Sequence, residues 1–421
     1  MKKFKVLILF IILISATLSA QEKSLQNWRP NDQRGINVFE NPVEDTVVFD
    51  GFTVRVGGDF AMQFQGLDQS NEAGTLLELG TDFNLPSANL NLDVQLLNGM
   101  RMHLRTYLSS RHHVDAWIKG GYFQITNLDF VQPGFLEDLM QYTNVKVGLD
   151  EINYGDAHFR RTDNARAIFN PFIGNYIMDS FATEAFGEIT VQRNGLLAVI
   201  GITNGKMNQN VVVNENSDNK PSFYGKLGFD REFDEDLRLR LTGSWYMNNG
   251  TTTGTWLYGG DRAGARYFNV LHTEDQGGSF DGRYNSRFTK LLALQLNPFV
   301  KYGGFEFFGI FERANGRNEF TDPEDKEGAF TQLAGEMLYR FGPAENFFIG
   351  GRYNTVEGKM RESHTDDLKI NRLNIGGGWF ITKNVLTKIE YVHQSYDGDA
   401  WTGRFAGAEF SGFNIEAVIG F

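Results

Sequence analysis

The sequence predicts an all-β protein: a transmembrane antiparallel β-barrel of about 16 strands, with short turns at one end and long loops at the other. Three observations lead to this prediction. The chain ends in a strand with one apolar face, it begins with a segment typical of exported proteins, and half-polar segments recur between tight turns. A closed barrel satisfies every backbone hydrogen bond inside a bilayer, so strands alone can cross it.

The last strand of the chain has a continuous apolar face. Its members are Phe413, Ile415, Ala417, Ile419 and Phe421, and successive side chains of a strand point to opposite faces. A final strand of this kind, with an aromatic carboxyl-terminal residue, is typical of bacterial outer-membrane barrels. We therefore expect these five residues to face lipid and to form the signal that the barrel-assembly machinery reads.

Residues 1–20 have the features of a secretory signal peptide. Lys2, Lys3 and Lys5 precede an apolar core, and Ser19 and Ala20 provide the small residues of a cleavage site. The apolar run is short for an uncleaved anchor, and no later stretch approaches the ~18 apolar residues of a membrane helix. The exported chain is therefore either a soluble β-rich protein or a membrane-spanning barrel.

Composition narrows the choice of function. Without the signal peptide the chain carries 37 basic and 52 acidic residues, a formal charge of −15, and it has no cysteine. This acidity argues against a nucleic-acid partner, which requires basic patches, and disulfides cannot contribute to stability. With 37 Phe, 47 Gly and only 9 Pro, the chain suits many short strands facing an apolar phase.

Alternating segments joined by alternately short and long connections give the strand count. Residues 21–50 are expected to form a periplasmic amino-terminal segment, and 51–421 the barrel. The expected strands are 52–65, 88–97, 100–108, 116–126, 144–150, 184–193, 196–203, 221–232, 237–247, the hairpin 292–314, 329–341, 347–356, 370–381, 385–396 and 409–421. Counting the hairpin as two strands gives 16, with 14 or 18 as alternatives; the even number and the asymmetry of turns and loops are those of outer-membrane barrels.

The polar face of these strands is expected to line the lumen. Charges of both signs occur on that face, which favours weak rather than strong selection among solutes. The expected lining residues are Arg55, Asp59, Asp93, Arg101, Arg105, Glu188, Arg238, Arg240, Glu336, Arg340, Arg352 and Arg372.

The long loop 150–183 is the strongest candidate for a functional element. A loop of this length without regular structure is usually functional or disordered, and it mixes both charges with aromatic residues. We expect it to fold into the lumen as a constriction, with its arginines facing its aspartates; an exposed surface loop is the alternative. The residues concerned are Asp156, His158, Arg160, Arg161, Asp163 and Arg166.

Other segments give weaker signals. Residues 21–50 could plug the periplasmic mouth, contact a partner or act as a tether, with disorder the commonest outcome for such a terminus. Residues 127–143 include a short stretch with helical spacing. His103, His112 and His113 do not form a convincing metal site, and no nucleophile–base pair stands out, so neither a metal, a cofactor nor an enzyme is expected.

Three segments resemble the phosphate-selective porin O/P superfamily and its Bacteroidetes porin-like branch. They are 145–156, where a strand ends in glycine before a long loop, 386–391, and 28–40, which is similar to the leader of that branch. The resemblance implies a barrel with a basic ladder along its lumen. Here only fragments of a ladder occur, at Arg101 and Arg105 and at Arg238 and Arg240, among many acidic residues.

The combined expectation is an outer-membrane porin that passes small hydrophilic solutes with weak selectivity. Its partners would be outer-membrane lipid, lipopolysaccharide and the barrel-assembly machinery, with a homotrimer or other outer-membrane proteins as alternatives for assembly. A second hypothesis is a non-conducting barrel subunit of a larger assembly, with the aromatic loop 248–285 as a partner surface. A third is a soluble exported binding protein.

Overall fold

The sixteen long strands close into one antiparallel barrel. The computed structural model describes residues 24–43, 47–108, 116–161, 166–206, 220–250, 257–259, 266–318 and 326–421. The barrel strands are β1 (Thr53–Ser70), β2 (Asp82–Leu97), β3 (Met100–Leu108), β4 (Ala116–Ile125), β5 (Thr143–Glu151), β6 (Thr183–Arg193), β7 (Leu196–Thr203), β8 (Ser222–Glu232), β9 (Leu237–Asn249), β12 (Lys290–Tyr302), β13 (Phe305–Arg317), β14 (Gly328–Phe341), β15 (Phe347–Lys359), β16 (Leu368–Thr382), β17 (Val385–Asp397) and β18 (Glu409–Gly420).

Each barrel strand pairs with its neighbour in the chain, and β1 pairs with β18 to close the ring. The short strands β10 (Tyr267–Phe268) and β11 (Phe280–Asp281) form a separate ribbon between β9 and β12. The predicted fold class and the strand count of 16 are therefore confirmed. In the segment 127–143 a single helical turn, α1 (Glu137–Met140), precedes β5.

Local sequence explains the tight turns. At the β6–β7 hairpin, Asn194 has φ +52° and Gly195 has φ +81°, the two positive φ values that a type I′ turn requires. We call this end of the barrel the turn end and the opposite one the loop end. In outer-membrane barrels the short turns lie on the periplasmic side.

The outer surface of the barrel carries an apolar belt. Ile375, Ile389 and Ile415, on three consecutive strands, are each at least half exposed. At the turn end a row of stacked rings runs across β14 to β16, with centroid separations of 6.2, 5.6 and 5.8 Å between Tyr339, Phe341, Phe347 and Trp379. Such an aromatic girdle marks a membrane interface. Among the described residues, no helix has the length and apolar character needed to cross a membrane.

Several strands run further at the loop end than the sequence predicted. β1 continues to Ser70 and β2 begins at Asp82, whereas the expected bounds were 65 and 88. Beyond the belt the outward residues are polar, as at Asp68 and Ser70, so the apolar alternation stops before the backbone pairing does. The hydrogen-bonded barrel is therefore taller than its apolar face.

A charge placed in the belt is expected to destabilise the barrel according to its depth. Ala417 lies in the middle of the apolar face of β18, opposite Met62 of β1 and Thr387 of β17. We expect Ala417→Arg to lower the free energy of unfolding by about 2–4 kcal/mol, and Glu409→Arg at the loop end of the same strand by under ~1 kcal/mol. Urea titration in lipid bilayers measures both, and equal losses would contradict the placement of the belt.

Candidate functional site

The segment between β5 and β6 lies inside the barrel. In this inner loop, residues 152–182, every described residue except Arg166 is buried. Its backbone is bonded to side chains of the wall: the Ile177 N–H donates to Asn354 Oδ1 (2.7 Å) and the Met178 N–H to Gln332 Oε1 (2.8 Å). Buried backbone groups need such partners, and the inward amides of β14 and β15 supply them.

Asp156 fixes the first part of the inner loop. Its carboxylate accepts from Lys226 Nζ (2.7 Å), Arg240 Nε (2.8 Å) and Thr242 Oγ1 (2.7 Å). Burial alone would raise the pKa of Asp156, but Arg240 and then Lys226 outweigh it and lower that pKa below its usual range. The carboxylate is therefore ionised at neutral pH and holds the loop against β8 and β9.

The inner-loop arginines find partners other than those expected. Arg160 donates to Glu336 of β14 (2.5 Å), and Arg161 bonds Asp179 within the loop. Arg166 bonds Glu151 at the end of β5. The expected pairing with Asp156 is wrong, because buried charges pair with the nearest opposite charge instead of facing each other across water. Asp163, the other expected partner, lies outside the described residues.

The amino-terminal segment lies across the turn end. Residues 24–43, the mouth segment, contact the inner side of the rim, where the Gln33 N–H donates to Lys383 O (2.8 Å) and Asn37 Nδ2 to Glu306 Oε1 (2.6 Å). Phe39 is buried edge-on against Phe159 and Phe299. The segment thus contacts both the wall and the inner loop.

Glu40 ties the mouth segment to the charges that hold the inner loop. It lies 2.8 Å from Arg240 Nη1 and 3.3 Å from Lys226 Nζ. Burial would raise the pKa of Glu40, but Arg240 and Lys226 lower it to about 2. The mouth segment and the inner loop therefore share one buried ion cluster.

A second insertion, described at residues 257–259 and 266–289 between β9 and β12, packs inside the loop end. Tyr258 and Tyr154 both donate to Glu312 Oε1 of β13 (2.8 and 2.9 Å), and Tyr267 donates to Glu390 (2.7 Å). Burial and then Glu312 raise the pKa of Tyr154 and Tyr258 well above its usual value, so both hydroxyls stay protonated donors. The described aromatic residues Tyr258 and Tyr267 are buried, so they are not the exposed partner surface expected of loop 248–285.

Among the described residues, a cavity of about 100 Å³ lies between the insertions and the wall of β1 to β6, and we call it the wall cavity. Its wall side carries Arg55, Asn91, Asp93, Arg101, His103, Arg105, Tyr122, Asn144, Lys146, Asp150, Glu188 and Thr190. The opposite side is formed by the mouth segment and the inner loop, including Trp28, Glu40, His158, Phe159 and Arg166. The half of the barrel from β8 to β17 is instead occupied by the inner loop.

The residues expected to line the lumen therefore divide into two groups. Arg55, Asp93, Arg101, Arg105 and Glu188 line the wall cavity, together with His158 and Arg166 of the inner loop. The second group is buried against the insertions or lies at the rim. Its members are Asp59, Arg240, Glu336, Arg340, Arg352 and Arg372, all at most 5% exposed, and Arg238, which borders a groove of about 500 Å³ at the turn end.

Sequence reasoning missed several residues of the wall cavity. His103, Lys146 and Asp150 belong to it, as do the amides Asn91 and Asn144. Period-two alternation within β2, β3 and β5 places all of them on the inward face, so this signal was present. No group of three or more metal-ligating side chains occurs among the described residues.

No protein-family model matches the chain, and no curated protein matches it. Solved structures do. The outer-membrane channel DcaP of Acinetobacter baumannii has a TM-score of 0.55 at 10% identity, covering 88% of this chain and 98% of that one. The anion-selective porin from Comamonas acidovorans gives 0.53 at 10% identity over 88% and 100%. OmpT, an outer membrane protein of Vibrio cholerae, in its trimer form gives 0.54 at 9% identity over 88% and 100%.

At these identities the likeness shows the fold, which is a porin-like barrel. The exposed apolar belt requires a lipid environment, since apolar surface of this extent is not stable in water. Fold and belt together place the protein in the outer membrane.

Proposed function

We propose that the protein is a porin-like channel through which small hydrophilic solutes diffuse along the wall of β1 to β6. One observation carries the proposal: the inner loop is bonded to the β8–β17 half of the barrel, while the polar cavity lies against the other half. A pore that keeps one charged wall uncovered next to an inserted loop selects solutes by size and polarity. No catalysis and no cofactor are part of the proposal.

The charges of the wall cavity support weak selectivity. Six cationic and five anionic side chains line it, so neither sign dominates. Arg101 and His103 both bond Asp93 Oδ1, at 2.9 and 2.8 Å, and Arg105 bonds Asp150 at 2.7 Å. Because these charges are largely paired, the cavity presents polar groups without a strong field of one sign.

Cysteine accessibility tests the path sharply, because the natural chain has no cysteine. Lys146 lines the wall cavity, whereas Val356 faces inward on β15 and is 1% exposed in the covered half. In planar bilayers we expect a cationic methanethiosulfonate reagent to reduce the conductance of Lys146→Cys and to leave that of Val356→Cys unchanged. Modification of Val356→Cys alone would place the path in the other half and end the proposal.

A second candidate function has its own observation. The mouth segment lies across the turn end, and the cavity that the described residues leave against β1 to β6 is small, as a non-conducting barrel subunit of a larger assembly would require. Wild-type protein that folds and inserts but never conducts would favour this function. Copurifying outer-membrane partners in stoichiometric amount would then identify the assembly.

The proposal includes export and assembly. The signal peptide 1–20 directs export, residues 21–50 lie on the periplasmic side, and 51–421 form the barrel. The outward residues of β18, together with Phe421 after it, are read by the barrel-assembly machinery, and the belt contacts lipid and lipopolysaccharide.

A homotrimer is the proposed assembly, supported by the trimer form of a similar barrel. Kinship with the phosphate-selective porin O/P superfamily and its Bacteroidetes branch, without phosphate selectivity, is likewise proposed.

A further inference from the structure

The wall cavity contains buried polar atoms that have no partner in the described part of the chain. They are Asn91 Oδ1, Arg101 Nε, His103 Nε2, Asn144 Oδ1 and Asp150 Oδ2. Each of these side chains belongs to the lining and its residue is at most 7% exposed. Buried polar groups are almost always hydrogen-bonded, so these atoms need partners from water or from a bound solute.

Most of these atoms accept hydrogen bonds. The two amide oxygens and the carboxylate oxygen can only accept. His103 Nδ1 faces Asp93 Oδ1 at 2.8 Å, and when the neutral ring donates there, Nε2 becomes an acceptor too. Arg101 Nε alone is a donor. The complementary solute therefore offers several donors and at least one acceptor, which is the hydrogen-bonding pattern of a set of hydroxyl groups.

Charge balance argues against a cationic solute. The carboxylates beside the orphan atoms already have cationic partners: Asp93 has Arg101, and Asp150 has Arg105. A cationic solute would lose its hydration without gaining a free carboxylate there, which is costly. A neutral solute avoids this cost, and the rings of Trp28 and Tyr122 in the lining offer apolar surface to its C–H groups.

We propose that the wall cavity is a binding subsite for a neutral short polyol. Its volume of about 100 Å³ has room for about three waters at ~30 Å³ each, which suits a polyol of two or three carbons and excludes a hexose. Amide, carboxylate and arginine groups converge on that space from β2, β3 and β5. The inference rests on the proposed function in that the occupant is the solute in transit.

Calorimetric titration of the full-length protein in detergent tests the subsite directly. Glycerol is the probe and D-glucose the oversized comparison, with sodium glutamate and sodium phosphate as charged competitors at equal ionic strength. We expect glycerol to bind, glucose to give no heat of binding, and the double variant Asn91→Leu/Asn144→Leu to weaken glycerol binding on the order of tenfold. Asn414→Leu is the control, since Asn414 is a fully buried inward amide on β18 outside the lining and should leave glycerol affinity unchanged.

The outcomes separate the subsite from the channel. No heat with glycerol, glucose binding as tight as that of glycerol, tighter binding of phosphate or glutamate, or equal losses in the test and control variants would each overturn the subsite. Bilayer recordings on the same preparation report the channel independently. Conductance without glycerol binding rejects only the subsite. Glycerol binding without conductance rejects the channel and leaves the subsite as the site of a non-conducting barrel.

Discussion

Replacing Asp156 by alanine is expected to release the inner loop from the wall and to raise single-channel conductance. The carboxylate satisfies Lys226, Arg240 and Thr242 in a fully buried position. Removing one partner of a buried ion cluster costs about 3–5 kcal/mol, because the remaining charges stay desolvated. Detachment of the loop lets water reach Lys226 and Arg240, so we expect the cost to appear as loop opening and increased current noise.

The matched control for this variant is Asp230→Ala. Asp230 also bonds Arg240, at 3.1 Å, but its side chain is 21% exposed and it has no contact with the inner loop in the ion pairs described. We expect its conductance to match that of the wild type. Equal conductance in Asp156→Ala and wild type, with a comparable free energy of unfolding, would show that this cluster does not hold the constriction.

The barrel could be predicted from the sequence because its signals are local. Alternation within ten residues and turn pairs such as Asn194 and Gly195 define each hairpin without reference to distant parts of the chain. The predicted strand ends were wrong at the loop end, where β1 runs to Ser70. Backbone pairing continues there without an apolar outer face, so the sequence pattern does not mark it.

The interior could be predicted only in outline. The length and charge of the inner loop pointed to the lumen, but its partners are remote in sequence: Asp156 and Arg240 are 84 residues apart, and Arg160 and Glu336 are 176 apart. These remote contacts decide which inward arginines pack against the inner loop and which line the wall cavity. The sequence pattern alone gives Arg105 and Arg352 the same inward position, yet only Arg105 lines the wall cavity.

Deleting the mouth segment, residues 24–43, is expected to widen the turn end and to increase conductance further than any single substitution. The barrel begins at Thr53 and closes through β1 and β18, so the deletion removes no strand. Arg240 and Lys226 lose Glu40 but keep Asp156, so we expect the inner loop to stay attached. The larger current then reports removal of the segment rather than loss of the constriction.

Phe39→Ala provides the graded comparison for this deletion. The ring is 2% exposed and packs on Phe159 and Phe299, so its removal should cost about 3–5 kcal/mol and loosen the segment without removing it. In planar bilayers we expect conductance to rise from wild type through Phe39→Ala to the deletion, and trypsin to cleave after Arg34 faster in Phe39→Ala than in wild type. Equal conductance in all three proteins would contradict this prediction. Solutes would then pass beside the mouth segment, and the narrowest point of the path would lie between the inner loop and the wall of β1 to β6.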